Sequence, residues 1–206
     1  MSQKRGQYAK SEVKRQALAE SALKLVQEKG HRAVTVAEIA ALAGVSEQSL
    51  FYHFPSKEHL FIAALQQFDD EHIRAVGKEA GAVADMGPRA EVGVRRTHLS
   101  RLFAEMSGAA VDHGHPANEY FRKRLARSLH VVSTDIVRLQ GLEIVSEDID
   151  AASAARRLLA AWNGLQFQWH HGPEFDIRAE LEAVVDAVLR LTAEKRALLE
   201  RDFHGD

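Results

Sequence analysis

The sequence predicts an all-α fold in which a small N-terminal head of helices precedes a larger helical body. Apolar residues recur at three- and four-residue spacings through most of the 206 residues, and this is the period of an amphipathic helix. No stretch alternates apolar and polar residues as a half-buried strand does. The pattern predicts about nine helices, with a head at residues 1–55 and a body at residues 56–206.

The first two helices of the head are marked by the residues at their ends. Residues 11–29 carry an apolar stripe, and Gly30 is suited to end that helix. Thr35 and Glu38 have the spacing of a capping box, in which the Thr oxygen accepts a backbone N–H and the Glu side chain reaches back. A second, short helix is therefore predicted directly after Thr35.

A turn and a third helix complete the head. Gly44 permits a left-handed turn, and Ser46 can cap a helix over residues 47–54 that Pro55 brings to an end. In the body, Ser56 caps a fourth helix, and the apolar spacing predicts further long helices. These are expected to begin near Gly87, Phe121, Ser146 and Ile177.

Composition narrows the class of protein. Hydrophobic residues make up 46% and charged residues 27%, and the formal net charge is -2, so the chain is globular without an overall basic surface. Cysteine is absent, which excludes disulfides, thiolate zinc sites and a cysteine nucleophile. No apolar run has the length of a membrane span, and the first residues lack a signal-peptide core. We expect a soluble, cytoplasmic protein with no membrane partner.

Charge is nevertheless uneven along the chain. Residues 1–60 contain nine Lys or Arg and six Asp or Glu, whereas the remainder is acidic. A basic head on an acidic body is typical of a protein that presents one end to a polyanion. The basic N-terminal residues Lys4, Arg5, Lys10 and Lys14 either lie in solvent or contact such a polyanion.

Two short helices joined by a Gly-containing turn have the outline of a helix-turn-helix, whose second helix enters the major groove of DNA. In this second helix, apolar side chains are expected to anchor the helix to the head: Leu50, Phe51 and Phe54. The polar side chains are expected on accessible faces: Glu47, Gln48, Ser49, Tyr52 and His53.

The accessible side chains suit base and phosphate recognition. Gln48 can pair with adenine, Glu47 can accept from cytosine, and Ser49 can do either. Tyr52 and His53 can donate to phosphate oxygens, and Lys57 adds a cation at the start of the next helix. A solvated helix surface is the alternative for Glu47 and Gln48, and Glu47 could also repel phosphates and so reject some sequences.

The segment from Gly30 to Phe61, GHRAVTVAEIAALAGVSEQSLFYHFPSKEHLF, closely resembles the DNA-binding segment of the TetR family of bacterial transcriptional regulators. The capped helix, the Gly-Val-Ser turn, the Tyr-His-Phe run and the Pro-Ser-Lys helix start all stand at the family's spacing. With the preceding helix the resemblance covers about residues 10–65. The body resembles the family in length and helical layout alone.

The resemblance implies a homodimeric repressor, although the same head would also serve an activator. From the large helical body we expect a small apolar effector that releases the dimer from double-stranded operator DNA, and we predict no cofactor and no catalytic activity. The resemblance also implies that Thr35 contacts phosphate, that Ser46, residues 47–49 and residues 52–53 meet the operator, and that Lys57 adds a phosphate contact. Two positions depart from the family pattern. Phe51 replaces a common Tyr and so lacks its hydroxyl, and Gln48 stands where a small residue is common.

The body offers candidates for an effector cavity. Trp162, Gln166 and Trp169 share one helix face, where they could line a cavity or pack in the core or at a dimer interface. The resemblance leaves the choice between cavity and interface open. Four apolar residues are further pocket candidates, although such a stripe is usually core: Phe103, Met106, Phe121 and Leu125.

Two other classes of function, a metal sensor and an enzyme, compete with this interpretation. Eleven histidines raise the possibility of a metal-sensing regulator, but neither His113 with His115 nor His170 with His171 has the i, i+4 spacing of a helical metal site, and we predict no metal site. Asp69, Asp70, Glu71 and His72 are expected to form an exposed helical turn. A helical enzyme would need a nucleophile, a phosphate-binding Gly-rich loop or a Ser/His/Asp arrangement, and none is legible in the sequence.

Overall fold

The computed structural model describes residues 2–76, 81–172 and 174–204, with side chains from residue 11 onward and none described at 71–80. Over these residues the structure is helical and contains no strand, which confirms the predicted all-α class. The helices are α1 Ser2–Lys29, α2 Val36–Leu42, α3 Glu47–His53, α4 Lys57–Val76, α5 Met86–Arg95, α6 Thr97–Ala109, α7 Asn118–Gly141, α8 Ala151–His171, α9 Ile177–Leu189 and α10 Ala193–His204.

These ten helices of the described residues differ from the predicted pattern at four places. The first helix already begins at Ser2, and the stretch predicted as one helix after Gly87 is divided at Arg96 into α5 and α6. The helix predicted to begin at Ser146 begins at Ala151, because the Asp150 carboxylate accepts the Ser153 N–H at 2.7 Å and caps it there.

The fourth difference is α10, which the apolar pattern did not predict. Arg190 has a left-handed backbone, with φ 53°, and ends α9. Thr192 then caps α10 by accepting the Lys195 N–H at 3.3 Å. Leu199 is the one buried residue of α10, so this helix has no apolar stripe for sequence analysis to detect.

Helix packing divides the chain into two compact units. The first unit contains α1 to α4, α6 and the beginning of α7 as far as Phe121. The second unit contains α5, the rest of α7 and α8 to α10. The predicted boundary between residues 55 and 56 divides the chain by function rather than by packing, and it stays a prediction.

Each unit has its own apolar core. In the first, the completely buried side chains of Leu18, Ile39, Leu50 and Leu60 bring α1, α2, α3 and α4 together. Burial of this kind stabilises a short helix far more than its own propensity does, which matters for the seven-residue helices α2 and α3. The first core therefore holds the helix-turn-helix in place.

The second core is centred on α8 and α9. Leu158 of α8, Leu181 of α9 and Ile136 of α7 are completely buried. A Cβ atom added at Gly87 of α5 would lie 2.7 Å from the Glu182 side chain on α9, so α5 packs closely on α9 because Gly87 lacks a side chain. No helix of the described part of the chain is both long enough and apolar enough to cross a membrane.

Candidate nucleic-acid interface

The start of α2 is closed by the capping box that the sequence predicts. The Thr35 hydroxyl oxygen accepts the Glu38 backbone N–H at 3.3 Å, and the Glu38 carboxylate accepts the Thr35 N–H at 2.9 Å. The same carboxylate forms a salt bridge with Lys29 of α1. The hydrogen bond from Lys29, followed by those from Thr35, lowers the pKa of Glu38 to about 2, so the carboxylate is ionised at neutral pH.

This arrangement affects the role predicted for Thr35. The Thr35 hydroxyl donates to the Glu38 carboxylate over 2.8 Å, so its proton is already engaged by an anion. Thr35 is exposed at the N-terminal end of α2, where a phosphate would be favoured by the helix dipole. Its phosphate contact stays a prediction, and a phosphate there would have to share the position with Glu38.

The turn between α2 and α3 has the predicted geometry. Gly44 has φ +68°, a left-handed conformation that side chains other than glycine adopt at a cost. Ser46 is extended and its hydroxyl oxygen accepts the Ser49 N–H at 3.2 Å, which caps α3. The turn and the cap set the direction of α3 relative to α2.

One predicted anchor of α3 is wrong. Leu50 and Phe54 are buried, with 0% and 2% of their surfaces exposed, but Phe51 is 47% exposed. Leu50 lies on the one buried face of this seven-residue helix, and Phe54, the extended residue that caps its C-terminal end, packs in the same core. Phe51 follows Leu50 by about 100° of rotation and leaves that face.

The other predicted contacts of α3 surround Phe51. Glu47 and Gln48 are exposed, Tyr52 is 85% exposed, and Ser49 and His53 are half-buried. We call Glu47, Gln48, Phe51 and Tyr52 the α3 surface. It includes no lysine or arginine, and its one charged group is the Glu47 carboxylate.

Arg15 of α1 holds the end of α3, a role that the sequence analysis missed. Its guanidinium donates to the His53 carbonyl oxygen at 2.6 Å and lies 4.4 Å from the centre of the Phe54 ring. The C-terminal carbonyls of a helix have no partner within the helix, so this contact satisfies one of them. Arg15 and His53 are 38 residues apart, and no local sequence pattern signals the pair.

Arg15 and its neighbour Lys14 also affect the protonation of His53. Partial burial, followed by the positive charges of Arg15 and Lys14, lowers the pKa of the His53 imidazole. His53 is therefore neutral at pH 7 and can donate one hydrogen bond. The side chains of Lys4, Arg5 and Lys10 lie outside the described residues.

Lys57 is the first residue of α4, as the sequence predicts for a phosphate-binding cation. Its ammonium lies 5.2 Å from the centre of the Phe61 ring, one helical turn farther along. The Ser56 hydroxyl contacts the Glu58 carboxylate and the His59 ring, and its hydrogen bond lowers the pKa of Glu58. Lys57 and the ionised Glu58 thus stand side by side at this helix start.

Residues 18–64 match the family of bacterial regulatory proteins called the tetR family. The matched stretch includes α2, α3 and the turn between them, with the Thr35 and Ser46 caps and the buried Leu50. The head of this chain, residues 18–64, is that of the TetR family.

Among curated relatives, the HTH-type transcriptional regulator RutR of Escherichia coli K12 is 44% identical over 58 residues. That alignment covers 28% of this chain and 27% of RutR, so the likeness in sequence is confined to about a quarter of each protein.

Solved structures extend the likeness in fold to most of the chain. NalD of Pseudomonas aeruginosa, the secondary repressor of the MexAB-OprM multidrug efflux pump, has a TM-score of 0.58 at 20% identity, covering 89% of this chain and 99% of NalD. A regulator from Saccharomonospora viridis in complex with choline has a TM-score of 0.62 at 23% identity, covering 86% of this chain and 96% of its own. The likeness in fold therefore includes the body of this chain as well as its head.

The predicted effector-binding residues fall into both units. In the first unit, Phe103 and Phe121 make an edge-to-face contact with ring centres 5.1 Å apart, and Tyr120 contacts Phe121 at 4.9 Å. Met106 is 5% exposed in the same core. These residues form an aromatic cluster with one polar group, since the Tyr120 hydroxyl donates to Asp69 at 2.7 Å.

In the second unit, Trp162 and Trp169 are half-buried and pack against the core. The Gln166 amide nitrogen lies 3.2 Å from where a Cβ atom at Gly93 of α5 would stand, so its side chain covers that glycine. Leu125 is 50% exposed. The effector-binding roles of all these residues, and the choice between cavity and interface for the tryptophans, stay predictions.

The histidines that suggested a metal have local roles. His115 accepts the Ala117 N–H at 3.2 Å through Nδ1, and His113 contacts Asn118 at 3.4 Å. No group of three or more His, Asp or Glu residues is placed to hold a metal in the part of the chain that the structure describes. Of the predicted exposed acidic turn, Asp69 bonds to Tyr120 and Asp70 is exposed, whereas the side chains of Glu71 and His72 lie outside the described residues.

Proposed function

We propose that this TetR-family chain is a homodimeric repressor that binds a pseudo-palindromic operator and is released from it by a small molecule. The observation that carries the DNA-binding part is the α3 surface. Four adjacent side chains are exposed on a helix whose start is capped by Ser46 and whose end is held by Arg15. A helix fixed at both ends keeps its outward side chains in one register, as base recognition requires.

Phosphate contacts position such a helix on the duplex. We assign this role to Thr35, Ser46, Tyr52, His53 and Lys57, and assign base contacts to Glu47, Gln48 and Ser49. All eight belong to α2, α3, α4 or their caps within the matched segment. Two copies of α3 would enter successive major grooves about 34–36 Å apart.

The second unit supports association of two copies. Phe167 of α8 is 60% exposed, although a phenylalanine that stays exposed in water has an unfavourable hydration free energy. Large aromatic residues are enriched at subunit interfaces. We assign Phe167, together with the outer faces of α8 and α9, to the dimer contact.

The effector is inferred from the aromatic residues of the body. Aromatic rings cover apolar or cationic ligands, and the related S. viridis protein was crystallised with choline. A ligand that binds the released form more tightly than the DNA-bound form shifts the population toward release. Such a regulator acts in the cytoplasm, where its DNA is.

Fluorescence anisotropy of the purified chain, at about 150 mM salt, tests the proposal. The duplexes are the intergenic DNA upstream of its gene and a scrambled sequence of equal composition. We expect the upstream duplex to bind at least about a thousandfold more tightly, the usual gap between specific and non-specific binding.

Two variants separate the roles. Gln48→Ala should reduce the difference in affinity between the upstream and the scrambled duplex. Lys57→Ala should lower the affinity for both duplexes equally. Equal, weak binding of the wild-type chain to both duplexes, and failure to enrich any sequence from a random library, would contradict the proposal.

A further inference from the structure

We propose that Phe51 is a specificity-determining residue that packs on the C5-methyl group of a thymine in the operator. The inference rests on the proposed function and deepens it, because it names a base for a side chain that has no polar atom. It starts from the exposure of Phe51, which is 47% although its neighbour Leu50 is completely buried. The phenyl ring therefore lies on the α3 surface rather than in the core.

The chemistry of the ring excludes a phosphate as its partner. A phenyl group can neither donate to a phosphate oxygen nor offer it a charge, and a phosphate next to it would lose hydration without compensation. Phe51 also follows Glu47 by four residues, so its ring lies beside a carboxylate that repels phosphates. Phe51 thus faces bases if α3 enters the major groove.

The major groove offers one apolar group on its base edges, the C5-methyl of thymine. Phe51 burying its exposed half against that methyl removes apolar surface of both partners from water. Thymine also carries an O4 acceptor at this edge, but cytosine, adenine and guanine have no methyl group, so the ring would cover their hydrogen-bonding groups without an apolar contact in return. The preference is therefore for thymine over the other three bases.

Gln48 fixes where this thymine lies. Gln48 precedes Phe51 by three residues, so their side chains are neighbours on one face of α3. An amide in this position can pair with adenine through two hydrogen bonds. The two side chains together select A·T pairs at adjacent steps of each half-site, one through hydrogen bonds and one through a methyl contact.

Uracil scanning tests the inference, because uracil differs from thymine only by the C5-methyl. The full chain first selects its operator from a random duplex library, and each thymine of one half-site is then replaced by uracil in turn. With the wild-type chain we expect one or two replacements to weaken binding about three- to fivefold, the effect of one buried methyl. With Phe51→Ala the same replacements should have no effect.

Leu42→Ala is the matched control. Leu42 lies in α2 and is 46% exposed, so this substitution also removes exposed apolar surface. This variant should retain the uracil effect. Phe51→Leu, which keeps an apolar side chain, should retain part of it, and thermal unfolding followed by circular dichroism verifies that each variant folds.

Three outcomes would overturn the inference. Specific binding that is insensitive to uracil at every position leaves the proposed function intact and removes the methyl contact. A uracil effect that persists in Phe51→Ala assigns the methyl to another residue. Failure of the library to yield any preferred sequence removes the proposed function and the inference with it.

Discussion

Glu38 places a negative charge at the N-terminal end of α2, beside residues that we propose face phosphates. Its pKa of about 2 means that the charge persists throughout the physiological pH range. Glu38→Gln should raise the affinity for operator and scrambled DNA alike, by about three- to tenfold, because the repulsion disappears and Lys29 becomes available to a phosphate. The salt dependence should steepen by about one counterion.

Glutamine retains the capping geometry, so the thermal stability of Glu38→Gln should change little. Glu200→Gln makes the same change of net charge on α10 and serves as the control. Unchanged affinity in Glu38→Gln, measured by anisotropy over a salt series, would place this end of α2 away from the DNA backbone.

His53 should make operator binding depend on pH. Its pKa is lowered in the free protein by burial and by Arg15 and Lys14, whereas an adjacent phosphate would raise it. Binding therefore takes up a proton, and the affinity should rise as the pH falls from about 7.5 to 5.5, by up to about tenfold for each unit of pKa difference.

His53→Gln should remove this part of the pH dependence. His113→Gln changes an exposed histidine of the α6–α7 turn and should leave it unaltered. Identical pH profiles for the wild-type chain and His53→Gln would show that His53 stays away from phosphate.

Contacts between residues that are close together in the chain could be predicted from the sequence, whereas contacts between distant residues could not. The Thr35–Glu38 capping box and the Ser46 cap could be predicted because their partners are three residues apart. The contact of Arg15 with His53 could not, since folding brings together residues from different helices. The Phe51 error has a related cause, because composition favours burial of phenylalanine and a helix of seven residues has room for one buried stripe.

At the scale of elements, Arg15 makes the end of α3 dependent on α1. Arg15→Gln removes both the hydrogen bond to the His53 carbonyl and the stacking on Phe54. We expect backbone amides of α3 to exchange hydrogen about tenfold faster and operator affinity to fall by a similar factor, because the loosened helix must be ordered on binding.

Arg15→Lys is the informative companion, since it keeps the charge but lacks the planar guanidinium that makes both contacts. Fast exchange with the lysine variant would assign the effect to geometry. A loss of affinity with normal exchange in Arg15→Gln would instead indicate that Arg15 contacts a phosphate directly.

Asp135 of α7 is the corresponding structural link in the second unit. Its buried carboxylate accepts the N–H groups of Gly81 and Val83 at 3.2 and 2.9 Å and pairs with Arg138, which also binds Asp202 of α10. The hydrogen bonds that Arg138 donates, first to Asp202 and second to Asp135, raise the pKa of its guanidinium. One charge network thus joins the segment before α5 to α7 and α10.

Asp135→Asn should lower the free energy of unfolding of this unit by about 3 kcal/mol, because it leaves buried groups imperfectly paired. Urea unfolding followed by tryptophan fluorescence measures it, since Trp162 and Trp169 are the chain's two tryptophans and both lie in this unit. Asp202→Asn, at a more exposed partner, should cost about 1 kcal/mol. Equal losses in the two variants would contradict the special role of the buried carboxylate.

The position of a helix could be predicted from the sequence only where an apolar stripe or a single capping residue marks it. Helices with a wide apolar stripe, such as α7 and α9, were predicted near their observed positions. The helix α10 is charged on most of its surface and was missed, and Asp150 rather than Ser146 determined the start of α8. Capping residues compete with one another, and tertiary packing selects among them.

At the scale of the whole molecule, the proposed dimer makes DNA binding depend on a residue far along the chain from α3. Phe167→Glu places a charge on the exposed apolar part of α8, where pairing of two copies would bury it. We expect sedimentation equilibrium at about 10 μM to show a monomer, and operator affinity to fall by at least about a hundredfold, since one half-site then binds without the second.

Val111→Glu is the matched control, because Val111 is 79% exposed in the turn after α6 and the same charge there should leave the dimer intact. A monomeric Phe167→Glu chain should still bind scrambled DNA weakly through each single head, because phosphate attraction does not need the second copy. The two measurements together separate loss of the dimer from loss of DNA binding by the head.

A Phe167→Glu chain that stays dimeric would show that the interface lies on another face of the body. A monomer with full operator affinity would show that one α3 surface is sufficient for recognition.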